Sequence, residues 1–584
     1  MPGGRGPGRR FFVSLLLAVP LGCNQPAGSP ATPPPAAGAP IDAGPAAPTP
    51  APAPSTPAPP PRLVPPRPAP SAGELLYRQG VLPSGKPLRG EREAGANVEG
   101  LLAACATCHR RSGLGSWEGQ TVIPPIIGRY LFRAGARNVE DVDLPHVQGY
   151  VPRREPYTDA TLARAIRDGV DQTGRRLSFL MPRYKLDKAA MAALVGYLKG
   201  LTAGPVPGVT SETLHFATIV TPDADPAARR ATLEVLEQFF ATKNAGHRGN
   251  APALQSTRGV MYRVNRKWQL HVWELSGAPD TWEHQLDQRL AAEPVMAVVS
   301  GVGGRTWAPI HRFCERRSVP CLLPNVELPV DAEQDFYPVY FSKGVLLEAG
   351  LIAGRLRLDQ QAAKVGRVVQ VYRRGDVGEA AAGSLRAALD GAGLTTLERP
   401  LEAGAEATSA LAAALEGTVK TDAVVLWLRP ADLSALPGVP TAGTAYASGL
   451  LGKLEAAPLN SAWRNVTRLA YPFDLPDQRK VRMNFPLGWF KVRRIPVVAE
   501  RVQTDTYLAC VILSETLGHM LDSFVRDYLV ERMEVLLSHR LVNGYYPRLG
   551  LAPGQRFASK GGYLVRFAQP EGTRVIADGA WTVP

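Results

Sequence analysis

The chain has 584 residues, which is too many for one hydrophobic core, so two or three folded units are expected. Its 45% hydrophobic and 20% charged residues are typical of a globular protein, but its 55 prolines exclude a chain that is folded evenly throughout. A formal net charge of +14 favours acidic partners or anionic membrane surfaces. No nucleic-acid-binding module is recognised, so we expect no nucleic-acid partner.

Residues 1–23 have the features of a secretory signal. Arg9 and Arg10 precede an apolar run from Phe11 to Val19, which is too short to span a bilayer comfortably. The stretch VPLGC then resembles a bacterial lipoprotein box, in which Cys23 would carry the lipid. An ordinary cleaved signal with an incidental cysteine is the alternative. We expect a bacterial periplasmic or cell-envelope protein, attached to a membrane through a lipid anchor only.

Residues 24–70 consist almost entirely of Pro, Ala, Gly, Ser and Thr. Such a segment cannot bury enough apolar surface to offset its ordering entropy, so we expect a disordered, semi-rigid tether. Order is predicted to begin with a capping box at Ser71. A Gly- and Pro-rich break near residue 204 separates a first domain, residues 71–204, from a second, residues 213–584.

The most specific motif of the chain is CATCH at residues 105–109. Two thiols at this spacing add to the vinyl groups of a haem, and the next residue is placed beneath the iron. Half of a zinc site is the alternative, but the remaining cysteines lie outside the first domain. The motif therefore predicts one covalently attached haem c, held by Cys105 and Cys108, with His109 as an iron ligand.

Three residues of the first domain are candidates for the second iron ligand. Met181 lies in a loop before a helix, Met191 lies inside that helix among alanines, and His146 lies in a polar loop. We expect Met181 to be the ligand, Met191 to pack, and His146 to be structural or solvent-facing. Further side chains are candidates for contact with the haem propionates, with solvation or packing as the alternative: Trp117, Arg175 and Arg176.

Residues 71–204 resemble class I cytochrome c, a family of small all-α electron carriers. The resemblance rests on CATCH, on DQTGR at 171–175, on MPRY at 181–184 and on a last helix ending LVGYLKGL. It implies single-electron transfer through an exposed haem edge. It also implies that the carbonyl of Pro124 or Pro125 receives the proton of the axial histidine. The chain has one CxxCH motif, which disfavours a multi-haem wire or a di-haem peroxidase.

From residue 213 onward, apolar strands alternate with amphipathic helices, which predicts parallel α/β architecture. This region resembles type I periplasmic substrate-binding proteins, the family that includes branched-chain amino-acid receptors of ABC transporters. The resemblance rests on the segments VVSGVGGRTWAPI, VPCLLPN, KVGRVVQVYRRGDVGE and PGQRFASKGGYLVRF. It implies two α/β lobes with a small-molecule ligand in the cleft between them.

Arg305 and Thr306 are the candidate ligand-binding residues of the second domain. They lie at a predicted helix N-terminus, where backbone donors favour an anionic group, and a plain helix cap is the alternative. The usual DDxYG pattern of the family is RGDVG at 374–378 here, so an expected cleft aromatic is missing. An ordinary amino-acid ligand is therefore not expected to fit.

The second domain contains three cysteines. Cys314 and Cys321 bracket a predicted helix end and strand start, and in an oxidising compartment they are candidates for a disulfide. Cys510 lies in the apolar segment TYLACVILSE and is expected to be a buried free thiol of a core helix.

The sequence thus predicts a cell-envelope mono-haem cytochrome that is fused to a binding-protein-like domain. We expect an electron carrier rather than an enzyme. Its redox partners would be envelope proteins, either acidic or including a dehydrogenase, and its second domain would dock a partner or sense a small molecule. Two alternatives stay open: a periplasmic small-molecule receptor with an accessory haem, and the cytochrome subunit of a periplasmic dehydrogenase.

Overall fold

The computed structural model describes residues 69–132, 155–246 and 266–584, apart from residues 94, 96, 119, 120, 203, 363, 521, 522, 540–543, 569–571 and 573. The expected signal with Cys23, nearly all of the expected tether and His146 lie outside the described residues. All described residues belong to one compact unit, residues 61–584. Among the helices of the described part, none is long and apolar enough to cross a membrane.

The first module is mainly helical, and its described part also contains two pairs of short antiparallel strands. These strands are two or three residues long, too short to give a periodic signal, so the sequence predicted helices alone. The elements are α1 (Ala72–Gln79), β1 (Arg89–Gly90), β2 (Val98–Glu99), α2 (Cys105–His109), β3 (Ser116–Glu118), β4 (Thr121–Ile123), α3 (Gly128–Leu131), α4 (Asp159–Asp168) and α5 (Lys188–Gly200).

Helix α1 begins and ends at conventional caps. The Ser71 side chain accepts a hydrogen bond of 3.1 Å from the backbone N–H of Glu74, as the sequence indicated, and Gly80 ends the helix with a φ of 64°. The helix packs on α5, where the rings of Tyr77 and Tyr197 lie 5.3 Å apart. The first and last helices of the first module, α1 and α5, thus pack against each other.

The second part of the chain has two α/β lobes, as predicted. Lobe 1 has a parallel sheet in the order β6-β5-β7-β8-β9. All three residues of β7 are buried, as expected for a parallel strand that helices cover on both faces. Its elements are β5 (Thr213–Val220), α6 (Pro226–Ala245), β6 (Lys267–Glu274), α7 (Trp282–Ala292), β7 (Ala297–Val299), α8 (Ala308–Arg317), β8 (Cys321–Leu322) and β9 (Pro338–Val339).

Lobe 2 has a sheet in the order β11-β10-β12-β13-β14-β15-β16, in which β11 to β14 run parallel and β15 and β16 are antiparallel additions. Its elements are α9 (Val345–Gln361), β10 (Arg367–Arg373), α10 (Val377–Leu389), β11 (Thr395–Leu401), α11 (Ala407–Leu415), β12 (Asp422–Trp427), α12 (Pro430–Ser434), β13 (Thr444–Ser448), α13 (Ser461–Val466), β14 (Thr467–Tyr471), β15 (Tyr563–Phe567) and β16 (Val575–Ala577).

Three helices between β14 and β15 return to lobe 1: α14 (Pro476–Arg493), α15 (Glu500–Met520) and α16 (Arg526–His539). Helix α15 packs on α6 and β7, and α16 packs on α15. The chain therefore passes between the lobes three times. Two of these crossings pair with each other, because Tyr340 exchanges backbone hydrogen bonds of 2.8 and 3.0 Å with Arg556 and Ala558.

Candidate functional site

The CATCH motif forms helix α2, and its side chains reach one cavity. Cys105, Cys108, His109 and Met181 all line this cavity, which has a volume of about 250 Å³. Both cysteines are partly buried, and His109 is buried. Much of the remaining wall is aliphatic or aromatic: Ile123, Ile126, Tyr130, Leu131, Leu194 and Leu198. The four residues that the sequence singled out for a haem thus share one apolar cavity.

A glycine after the motif brings a proline carbonyl to the histidine. Gly115 has a φ of 83°, and a Cβ atom there would lie 2.3 Å from the carbonyl oxygen of Ile123, so only glycine fits. This close approach places Pro124 beside His109, whose Nδ1 donates a hydrogen bond of 2.9 Å to the Pro124 carbonyl. Of the two prolines that the sequence offered as partners of the histidine, Pro124 therefore makes the hydrogen bond.

The bond to Pro124 determines the tautomer of His109. Because a carbonyl oxygen only accepts, Nδ1 carries the proton and Nε2 keeps its lone pair. Burial lowers the pKa of His109, which favours the neutral ring. Burial also raises the pKa of the Cys105 thiol to about 12, so this thiol is protonated at neutral pH. A neutral imidazole with a lone pair on Nε2 is the form that ligates metal ions.

Met181 lies in a loop that two sets of hydrogen bonds hold in place. The Tyr184 hydroxyl donates to the carbonyl of Ala103 at 2.9 Å, just before the motif. The backbones of Arg183 and Glu91 exchange two further hydrogen bonds, of 2.8 and 2.9 Å. These contacts join the loop of Met181 to the segments that flank the motif, although the two are far apart in sequence.

The other candidates of the first module are distributed differently. Met191 lies in α5 and packs against the hydrophobic core, as expected. Of the three candidates for haem propionates, Arg175 lines the cavity. Arg176 forms an ion pair of 2.9 Å with Glu93, and Trp117 lies in β3.

The loop after the motif contacts α16 of the two-lobed part. Ser112 donates to both oxygens of Glu531, from its backbone nitrogen at 2.9 Å and from its hydroxyl at 2.5 Å. Arg110 forms an ion pair with Glu534, and the second oxygen of the same carboxylate accepts from Arg556. Sequence reasoning missed these residues, because Glu531 lies 419 positions from Ser112 and a glutamate on a helix gives no local signal of such a partner.

The structure places Arg305 and Thr306 in lobe 1, just before α8. The Thr306 hydroxyl accepts from the backbone N–H of Ala308, the first residue of α8, at 3.3 Å, and the N-cap residue Trp307 makes no side-chain capping bond. The backbone N–H of Arg305 donates to Asp223 at 2.9 Å, and its side chain remains two-thirds exposed. Thr306 is therefore not the capping residue of α8, and a ligand-binding role for Arg305 or Thr306 stays a prediction.

Besides the pair of Arg305 and Asp223 in lobe 1, Arg429 of lobe 2 forms two further ion pairs. Arg429 donates two hydrogen bonds of 2.8 Å to Asp376 and one of 3.0 Å to Glu327, which belongs to the segment after β8. Although burial opposes it, Arg429 lowers the pKa of Asp376, and Arg305 contributes to the same effect from lobe 1. Asp376 lies in the segment where the sequence departs from the binding-protein pattern. These charged groups of the two lobes are therefore paired with one another.

Cys314 in α8 and Cys321 in β8 are buried neighbours. Both are free thiols in the structure. Burial raises the pKa of Cys314 well above its usual range, and a hydrogen bond with Cys321 raises it further. Their proximity is compatible with a disulfide, which stays a prediction. Cys510 is a buried free thiol of α15, as expected.

No protein-family model matches the chain, and no curated protein matches it. Solved structures similar to it include a fatty acid ABC transporter substrate-binding protein from Thermomonospora curvata, at 16% identity and a TM-score of 0.48 over 65% of this chain and 95% of that one. A branched chain amino acid ABC transporter from Thermus thermophilus with bound valine is 11% identical, with a TM-score of 0.47 over 64% and 98%. A leucine binding protein from Thermotoga maritima is 13% identical, with a TM-score of 0.45 over 64% and 99%. The two-lobed α/β fold itself rests on the strand order and the three crossings described above.

Proposed function

We propose that the protein is a cell-envelope electron carrier with one covalently attached haem c. The observation that carries this proposal is the shared cavity, in which two thiols at CxxCH spacing, an oriented imidazole and a thioether meet apolar walls. The donor set fits a haem, because thiols form thioether links and because imidazole and thioether are axial ligands of c-type haem iron.

Each residue of the cavity has a defined task in this proposal. Cys105 and Cys108 would hold the haem covalently, and His109 and Met181 would ligate its iron. The bound haem supplies reversible one-electron chemistry. Pro124 fixes the ring of His109, and the aliphatic walls exclude water, which favours a stable electron carrier over a reactive centre. The donor and acceptor are proposed to be envelope proteins, either acidic or including a dehydrogenase.

A haem-attachment assay tests this proposal. The chain is produced in a bacterial periplasm together with a c-type haem maturation system, and its haem content is followed by visible spectroscopy, haem staining after denaturing electrophoresis and intact mass. We expect haem to stay with the denatured wild-type chain and with the control Cys510→Ala, whose buried thiol lies outside the motif. The double variant Cys105→Ala/Cys108→Ala should lose it. A wild-type chain without covalent haem under these conditions would contradict the proposal.

A second candidate function is a periplasmic small-molecule receptor in which the haem is accessory. The exposed guanidinium of Arg305 favours it, because this group lies between Asp223 of its own lobe and the Asp376 loop of the other. An anionic ligand group would find a cationic side chain there. Stabilisation of the protein by valine or by a fatty acid, the ligand types named for the similar structures, with an unchanged haem potential, would favour this candidate over the first.

A further inference from the structure

Glu531 differs from the other two acidic residues on its face of α16. Asp527 pairs with Arg78 at 3.0 Å, and Glu534 pairs with Arg110 and Arg556. Within the described part of the chain, no ion pair reaches Glu531.

Its side chain is 3% exposed, and Ser112 supplies both of its hydrogen bonds. Glu531 is therefore a buried carboxyl group without a countercharge in direct contact. Its hydrogen-bond partner, Ser112, lies three positions after His109 in the sequence.

Glu531 is expected to change its charge near neutral pH, whereas the two tyrosines beside it are not. Burial raises its pKa to about 7, against the opposing influence of Arg110 and Ser112. The other groups that face it come from α1, the motif loop and α16: Tyr77, Arg110, Asp527 and Tyr528. Burial raises the pKa of Tyr77 well above its usual range and that of Tyr528 to about 12, so both hydroxyls stay neutral.

The contacts of Glu531 suit both of its protonation states. As a carboxylate it accepts from the backbone N–H and the hydroxyl of Ser112. As a carboxylic acid it can donate to the same hydroxyl, because a serine oxygen also accepts and its hydrogen rotates. Tyr77 lies close to both Glu531 and Cys105, and its hydroxyl donates to the carbonyl of Arg110 at 2.7 Å. Tyr77 and Ser112 thus connect the carboxyl group of Glu531 to the motif and its loop.

We propose that Glu531 exchanges a proton in step with the redox state of the haem, an inference that rests on the proposed electron-carrier function. In a holoprotein that has accepted one electron from an external donor, the carboxylate of Glu531 would hold one additional proton taken from the solvent. On transfer of that electron to an acceptor, the carboxylic acid would return the proton to the solvent. The added negative charge and the added proton compensate each other, which lowers the electrostatic cost of reduction in a buried site.

Potentiometric titration of the holoprotein, followed by its visible spectrum at pH values from about 5.5 to 8.5, tests the proposal. We expect the wild-type midpoint potential to fall as the pH rises through the neutral range, because ionised Glu531 disfavours the added electron. Glu531→Gln should show no such fall and should keep a potential near the low-pH limit of the wild type.

The matched control is Glu348→Gln. Glu348 is also a buried carboxyl, bonded to Ser448 and Leu450, and burial raises its pKa to about 8, but it lies on α9 in lobe 2. It should keep the wild-type pH dependence.

A second variant keeps the test decisive if Glu531→Gln folds poorly. Ser112→Ala removes the hydroxyl that stabilises the anion, so the fall in potential should move to higher pH.

A wild-type potential that does not change with pH would overturn the proposal and leave the electron carrier standing, and so would an unchanged slope in Glu531→Gln. A chain that carries no covalent haem would overturn both, and this outcome is recognised beforehand in the gel and the mass spectrum.

Discussion

Met181 and Met191 illustrate how the surroundings of a residue determine its role. Both methionines are partly buried and pack against the hydrophobic core, but Met181 also lines the cavity with His109, whereas Met191 lies on α5 outside the lining of the cavity. A thioether that ligates the iron stabilises the reduced state and raises the reduction potential. The two residues therefore form a natural pair for a substitution test.

Met181→Ala is expected to lower the reduction potential of the holoprotein and to abolish the far-red absorption that methionine ligation gives ferric haem. Met191→Ala should remove only packing and leave both readouts close to the wild type. Redox titration and the ferric spectrum measure the two effects. If Met191→Ala rather than Met181→Ala changes them, the assignment of the second ligand is reversed.

Four residues of the cavity wall, the three of the CATCH motif and Met181, could be found from the sequence because their chemistry is local. CATCH is a contiguous motif, and Met181 lies in a loop before a helix. The choice between Pro124 and Pro125 could not be made, because it depends on the close approach of Gly115 to Ile123. Glu531 could not be found at all, since a glutamate within a helix is normally a solvated residue.

At the scale of elements, α1 and α5 approach each other closely. A Cβ atom on Gly73 of α1 would lie 2.2 Å from the carbonyl oxygen of Ala193 and 2.7 Å from the Cβ atom of Tyr197. Gly196 of α5 instead has open space at the same position. An added methyl group would therefore clash at Gly73 but not at Gly196.

Gly73→Ala is expected to lower the free energy of unfolding by about 1–3 kcal/mol, because the helices must separate to admit the methyl group. Gly196→Ala should raise it by about 0.5–1 kcal/mol, since alanine loses less entropy in a helix. Denaturant unfolding of the holoprotein measures both changes. Equal effects of the two substitutions would mean that the helices are less tightly packed than described.

The elements of the lobes were predictable to different degrees. The parallel sheets could be predicted from the alternation of apolar runs and amphipathic helices, because a buried parallel strand is a continuous apolar segment. The return of α14 to α16 to lobe 1 was not predicted, since the pairing of Tyr340 with the distant Arg556 and Ala558 depends on how the chain crosses.

Among the residues that the structure describes, burial raises the pKa of three carboxyl groups: Glu348 to about 8, and Asp505 and Glu531 to about 7. Unfolded carboxyl groups titrate near pH 4, so between about pH 4 and 8 the folded state binds more protons than the unfolded state. Their contribution to stability is therefore complete below about pH 4 and is lost as the pH rises through the folded-state pKa values.

We expect Glu348→Gln to reduce the loss of stability between about pH 5 and pH 8, because the amide needs no proton to stay neutral. Glu406→Gln is the control. Backbone N–H groups of Ser409 and Thr408 lower the pKa of Glu406 to about 2, so its contribution changes only at lower pH. Unfolding free energies at the two pH values give the comparison, and an equal slope in the wild type and Glu348→Gln would contradict the prediction.

The carboxylate of Glu534 links the motif loop to the crossing between the lobes. One oxygen holds Arg110 of the motif loop, and the other holds Arg556, whose backbone pairs with the interlobe crossing at Tyr340. Rotation of one lobe against the other would pull on Arg556 and change the balance of charge at Arg110. In the proposed haem protein, a change in the position of Arg556 would therefore alter the electron affinity of the motif through this one shared side chain.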